Sequence, residues 1–116
     1  VNNDALYTNA TLALRPTTGE LVWYYQHVAN DQHDLDWGFE RSIVELEIEG
    51  EIKKVIITAG KPGLFDALDA ATGAYLFAVD PGLQNLFSAI NPVTGEKIAN
   101  PNVFPDAEEV RTFFPY

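Results

Sequence analysis

The sequence has no cysteine and no methionine, and only 7 lysines and arginines stand against 17 aspartates and glutamates. Each shortage excludes something. Without cysteine there is no thiolate zinc site and no Cys-x-x-Cys-His haem attachment, and nothing reports the redox compartment. Without basic patches there is no footprint for nucleic acid, and the formal charge of −10 repels phosphates. No apolar run approaches the ~20 residues that a membrane-spanning helix needs, and no secretory signal is visible. The missing methionine, together with a repeat pattern incomplete at both ends, leads us to expect a segment of a longer protein. A hydrophobic content of 47% in 116 residues fits one globular unit.

What the sequence does hold is a repeat. ALRPTTGELVW (Ala13 to Trp23), ALDAATGAYLF (Ala67 to Phe77) and AINPVTGEKI (Ala89 to Ile98) share one pattern. Each has Ala, an apolar residue, a variable stretch, Thr-Gly, and a return to apolar or aromatic residues. This is the pattern of a β-hairpin in which Gly supplies the positive φ of the turn. Gly19 and Gly73 are 54 residues apart, somewhat more than the ~40–50 residues of one propeller blade.

Between these copies four short strands are legible. Ser42 to Glu49 alternates apolar and polar residues with period two. Glu45, Glu47, Glu49 and Glu51 form its solvent side. Lys54 to Ala59 is a β-branched run suited to a buried strand, and Leu64 to Leu68 and Tyr75 to Val79 follow it. The expected fold is all-β, a β-propeller segment with one complete four-stranded blade plus parts of its neighbours. The expected divisions are outer strands of one blade at 5–26, a functional loop at 27–41, the complete blade at 42–79 and an excursion towards the next blade at 80–116.

The chemistry concentrates in QHVANDQHDLD, from Gln26 to Asp36, where Asp31, Asp34 and Asp36 place three carboxylates within six positions. Like charges this close raise one another's pKa, so a cation or a basic partner is expected. In an up-and-down blade the loop entering the innermost strand and the loop between the second and third strands share a face. That brings Lys61, in AGKPG, to the acidic loop. His27 and His33 have neither a helical His-x₃-His spacing nor a finger spacing, so structural or supporting histidines are expected. No Gly-x-Gly-x-x-Gly phosphate loop is present.

On these residues the chain resembles the pyrroloquinoline quinone (PQQ)-dependent alcohol dehydrogenases with an eight-bladed propeller. The hairpins look like that family's tryptophan-docking motif, with Trp23 in the docking position and Phe77 in its place in the second copy. QHVANDQHDLD resembles the family's Gln…His-Asp-x-Trp-Asp segment, departing from it at Asn30 (usually His) and His33 (usually Trp). The resemblance implies that Asp34 is the catalytic base, that Lys61 contacts the quinone oxygens, and that Asp34 and Asp36 are metal ligands. The 27-residue interval from Asp34 to Lys61 agrees with it.

The implied activity is oxidation of an alcohol by hydride transfer to metal-bound PQQ in the periplasm. The implied metal is calcium. A lanthanide is the second expectation, because an aspartate at the position of Asp36 accompanies lanthanides in methanol-oxidising relatives, although other branches carry it without that preference. The implied partners are a small-molecule alcohol and a downstream electron acceptor such as a cytochrome c or membrane quinone. A sugar or polyol dehydrogenase is the alternative within the family. A non-catalytic propeller scaffold that binds proteins is the alternative outside it.

Overall fold

The computed structural model describes residues 4–31 and 33–103. Among these every regular element is a β-strand, as the alternation leads one to expect. The strands are β1 (Ala10–Leu14), β2 (Leu21–Gln26), β3 (Ser42–Ile48), β4 (Glu51–Ala59), β5 (Phe65–Asp69), β6 (Tyr75–Val79), β7 (Phe87–Ile90) and β8 (Lys97–Ala99). They form a four-stranded antiparallel meander, β3-β4-β5-β6, and two separate hairpins, β1-β2 and β7-β8. No helix among the described residues is long and apolar enough to cross a membrane.

The repeat has a common structure. Gly19, Gly73 and Gly95 take φ of 73°, 74° and 74°. Their N–H groups donate to the carbonyls of Arg15, Asp69 and Asn91 at 2.8, 2.8 and 2.9 Å. Where the first position of the turn is Asp69 or Asn91, its side-chain Oδ1 also accepts two backbone N–H groups, from Ala71 and Thr72 or from Val93 and Thr94. This is the side-chain turn chemistry that favours Asp and Asn there.

The β3-β4 connection is tighter than expected. Glu49 and Gly50 both have positive φ, 54° and 81°, so Ile48 pairs directly with Glu51 in a two-residue hairpin. β4 therefore begins at Glu51, ahead of Lys54. Val44, Leu46 and Ile48 are half-buried, and the four alternating glutamates are exposed. The 80–116 stretch holds the β7-β8 hairpin, and its part from 104 onward lies outside the described residues, as does Gln32 of the 27–41 loop.

Trp23 occupies its expected docking place. Its ring covers Gly73, where a Cβ would stand 2.5 Å from Trp23 Cε3. The second docking place differs from expectation. The atoms nearest Gly95 belong to Tyr75 and the Tyr25 hydroxyl, not to Phe77. The register is not what differs, since Ala67 pairs with Phe77 and Leu68 with Tyr75 just as Ala13 pairs with Trp23 and Leu14 with Leu21. Phe77 is left partly exposed beside Ile57, Phe65 and Val79. An apolar cluster forms where the loops after β2, between β4 and β5 and before β7 come together: Val28, Leu35, Trp37, Leu64 and Leu86 pack with Phe87 and Ile90 of β7.

Candidate active site

The loop leaving β2 is folded around Asn9 and Asp31. Asn9, at φ 46°, accepts the His27 N–H on its carbonyl at 2.8 Å. Its side chain donates Nδ2–H to Asp31 Oδ2 at 2.7 Å and accepts the Trp37 N–H on Oδ1 at 3.1 Å. Asp31 in turn accepts the N–H groups of His33 (2.8 Å) and Leu35 (2.7 Å). The expectation of three carboxylates crowding one another is therefore corrected at Asp31. Its charge is met by backbone and amide N–H groups, which stabilise a carboxylate without any cation.

From Asp34 to Trp37 exposed and buried positions alternate. Leu35 and Trp37 are buried at 3% exposure each, so Asp34 and Asp36 face outward. Asp34 sits at φ 59°, a left-handed conformation that a short polar side chain tolerates and that recurs at functional sites.

The second loop joins β4 to β5. Gly60 N–H donates to the Leu64 carbonyl and Gly63 N–H to the Gly60 carbonyl, closing a tight turn over the buried Pro62. The two loops meet as the topology requires. Lys61 N–H donates to the Asp36 carbonyl at 2.8 Å, and Lys61 Nζ donates to Asp34 Oδ2 at 2.7 Å. The hydrogen bond and charge of Lys61 hold the Asp34 carboxyl below the usual carboxylate range, and Asp34 raises the Lys61 ammonium. Both side chains remain accessible, at 75% and 49% exposure.

The exposed side chains of these two loops that could hold a metal are oxygen donors, the type hard cations select. Asp34 and Asp36 supply them two residues apart. Among the described residues no group of three or more His, Cys, Asp or Glu side chains is placed to hold an ion. A cleft of about 470 Å³ lies elsewhere, lined by His27, Asp31, His33, Glu96 and Lys97; neither Asp34 nor Lys61 lines it.

A second charged cluster has no counterpart in the sequence reading. His27 Nδ1 meets Asp66 Oδ2 at 2.6 Å, His27 Nε2 meets Thr11 Oγ1 at 2.8 Å, and Lys97 Nζ donates to the same Asp66 oxygen. Asp66 and His27 are fully buried. Both ring nitrogens of His27 are engaged, which leaves none for a metal. Burial pushes His27 and Lys97 below their usual pKa values, and Asp66 pulls both back up. The His27 ring lies parallel to Trp37, 4.6 Å between centroids, and Lys97 Nζ stands 4.7 Å from the Trp37 ring centre. One signal was available in sequence. FDALD is an apolar strand with a carboxylate at a position facing Thr58 across the sheet, where a charge needs a partner.

The profile of the family described as "PQQ: Glucose/ethanol/alcohol dehydrogenase, beta-propeller domain" matches residues 1–111. The chain is 36% identical over 99 residues to the dehydrogenase subunit of the quinone alcohol dehydrogenase of Gluconacetobacter polyoxogenes, covering 85% of this chain and 13% of that protein. It is 38% identical over 92 residues to 1-butanol dehydrogenase (cytochrome c) of Thauera butanivorans, covering 79% of this chain and 12% of that one. The crystal structure of quinohemoprotein alcohol dehydrogenase from Comamonas testosteroni superposes with a TM-score of 0.78 at 31% identity, over 84% of this chain and 14% of the other. The chain thus spans about an eighth of the length of these curated relatives.

Proposed function

The chain belongs to the PQQ-dependent glucose/ethanol/alcohol dehydrogenase β-propeller family, and from that premise we propose that it supplies the base and the cationic contact of a quinoprotein alcohol dehydrogenase. In this reading Asp34 accepts the proton of the substrate hydroxyl. A positioned general base of this kind contributes about 10²–10⁴ in rate. Lys61 stabilises negative charge on the quinone oxygens. Asp34 and Asp36 give two oxygen ligands to a hard cation, calcium first and a lanthanide as the alternative, with further ligands from beyond these residues. When bound, PQQ supplies the hydride acceptor.

The observation that carries the reading is the meeting of Lys61 and Asp34 across 27 residues at 2.7 Å, with both groups facing outward. An Asp whose pKa is lowered by a neighbouring ammonium stays ionised at neutral pH and is a weaker proton acceptor than a free carboxylate. Its affinity for a proton rises whenever the half-exposed ammonium turns to another oxygen. The pair therefore couples basicity at Asp34 to the partner chosen by Lys61. Electrons would leave through an acceptor such as the cytochrome c in the name of the butanol-oxidising relative.

The test is Asp34→Asn in the full-length protein. Turnover should fall by at least ~10², with PQQ binding retained when followed by absorbance. Near-normal turnover would remove Asp34 from the role of base.

A further inference from the structure

Trp37 and Gly60 are sequence neighbours of the exposed pair. Trp37 lies three residues after Asp34, and Gly60 immediately precedes Lys61. The Trp37 ring is pressed onto Gly60, where a Cβ would stand 2.5 Å from Trp37 Cδ2 and collide with the neighbouring ring carbons. Gly60 is a glycine for this reason and not for its backbone. The glycines of this chain at positive φ are Gly19, Gly50, Gly63, Gly73, Gly82 and Gly95, and Gly60 is not among them. Positive φ is therefore not what calls for glycine here; the space under the Trp37 ring is.

The other contacts form a ladder from that stack. Gly60 is fixed within its turn by hydrogen bonds to Gly63 and Leu64. One step out, Lys61 N–H holds the Asp36 carbonyl, and at the tip Lys61 Nζ holds Asp34 Oδ2. The ring itself is held from behind by the parallel His27 imidazole and by Lys97, both tied to Asp66. Trp37 Nε1 is buried with no hydrogen-bond partner among the described residues, so the face and volume of the ring are what it contributes.

We propose that Trp37 is the positioning residue that sets the spacing of Asp34 and Lys61, by stacking on Gly60 and so fixing the two loops to each other. The proposal rests on the catalytic reading of that pair for its consequence but not for its geometry. Misplacing a catalytic group by about 1 Å costs on the order of 10²-fold in rate.

The experiment is amide hydrogen exchange at residue resolution, together with steady-state kinetics, on the full-length protein carrying Gly60→Ala, Trp37→Phe, Trp37→Leu, and Trp37→Leu combined with Gly60→Ala. In Gly60→Ala the Lys61 amide should exchange about tenfold faster or more, while β4 amides such as Val55 keep their protection. Trp37→Phe, which retains a flat ring, should leave Lys61 near its original rate. The double variant should be no worse than Trp37→Leu alone, because without the ring Gly60 has room for a methyl group. Unchanged Lys61 exchange in Gly60→Ala would overturn the proposal. So would loss of protection throughout β4, since Gly60 would then serve the whole sheet and not the loop pair. If Lys61 loosens as expected while turnover is untouched, the positioning stands, and the assignment of Asp34 and Lys61 to the reaction falls.

Discussion

Two lysine–carboxylate pairs lie close together in this chain and obey different physics. Asp34 and Lys61 meet with side chains 75% and 49% exposed, whereas Asp66 and Lys97 meet at 0% and 1%. An exposed pair gains little Coulomb energy in water and gives up side-chain entropy, so its contribution to stability is about 0–1 kcal/mol. A buried pair faces a large desolvation cost and survives only with further partners. Asp66 has them, since it accepts from Lys97 of β8 and is hydrogen-bonded to His27 at the end of β2, while lying itself on β5. One carboxylate thus ties together three sheets that share no strand pairing. The difference separates roles: the buried pair ties the hairpins to the meander, and the exposed pair is the one we propose for chemistry.

The largest expected effect breaks the buried side. Asp66→Ala should destabilise the protein by about 3–5 kcal/mol, because it strands Lys97 in a buried position without a counter-charge. Denaturant unfolding with the midpoint and slope compared to the parent measures this. A loss below ~1 kcal/mol would show that Lys97 finds water in the folded protein, and the contrast between the two pairs would collapse.

The two pairs also differ in how far the sequence reveals them. The union of Asp34 with Lys61 follows from local patterns, because alternating strands and Thr-Gly turns fix which loops share a face. The Asp66 cluster does not follow. That Asp66 faces inward depends on its pairing with Thr58, and its partners stand 39 and 31 residues away on other sheets. Asp31 was misleading for the opposite reason. Composition shows a carboxylate beside two others, and only the folded loop shows its oxygens taken by the N–H groups of His33 and Leu35. Phe77 matches Trp23 both in the repeat and in its pairing with the preceding strand, yet Tyr75 and not Phe77 stands against Gly95. The scaffold alternative foresaw the hairpins equally well, but it offers no reason for the outward-facing Asp34 and Lys61.

A smaller effect sharpens the buried side through pH. His27 is enclosed by Asp66 from β5, Lys97 from β8, Arg41 from the loop and Tyr25 from β2. Burial, the largest influence, holds its pKa below the usual 6.5 despite the pull of Asp66. Below pH ~6.5 the unfolded chain therefore binds a proton that the folded chain refuses. Stability is full above that pH and falls as pH drops towards the folded-state pKa, with a slope of at most about 1.4 kcal/mol per pH unit for one proton. Thermal unfolding between pH 7.5 and 5 should show the decline, and His27→Gln should flatten it. A parent protein whose midpoint holds steady across that range would mean that His27 titrates normally, as an exposed imidazole does.

The smallest expected effect lies on the exposed side and is the most discriminating. Lys61→Met and Asp34→Asn should each leave the unfolding midpoint nearly unchanged, and the coupling from their double-mutant cycle should be smaller still. The reasoning is that neither variant strands a charge in a low dielectric, since water solvates whichever partner remains. Lys61 also keeps its backbone hydrogen bond to the Asp36 carbonyl when the side chain changes, so the loops stay joined. Raising the ionic strength to 1 M, where the Debye length is about 3 Å, should remove what little coupling there is. The same two variants are the ones expected to damage turnover. A large activity loss beside a negligible stability loss is what separates a functional pair from a structural one. A large coupling that survives high salt would make Asp34 and Lys61 a second structural tie, no different in kind from Asp66 and Lys97.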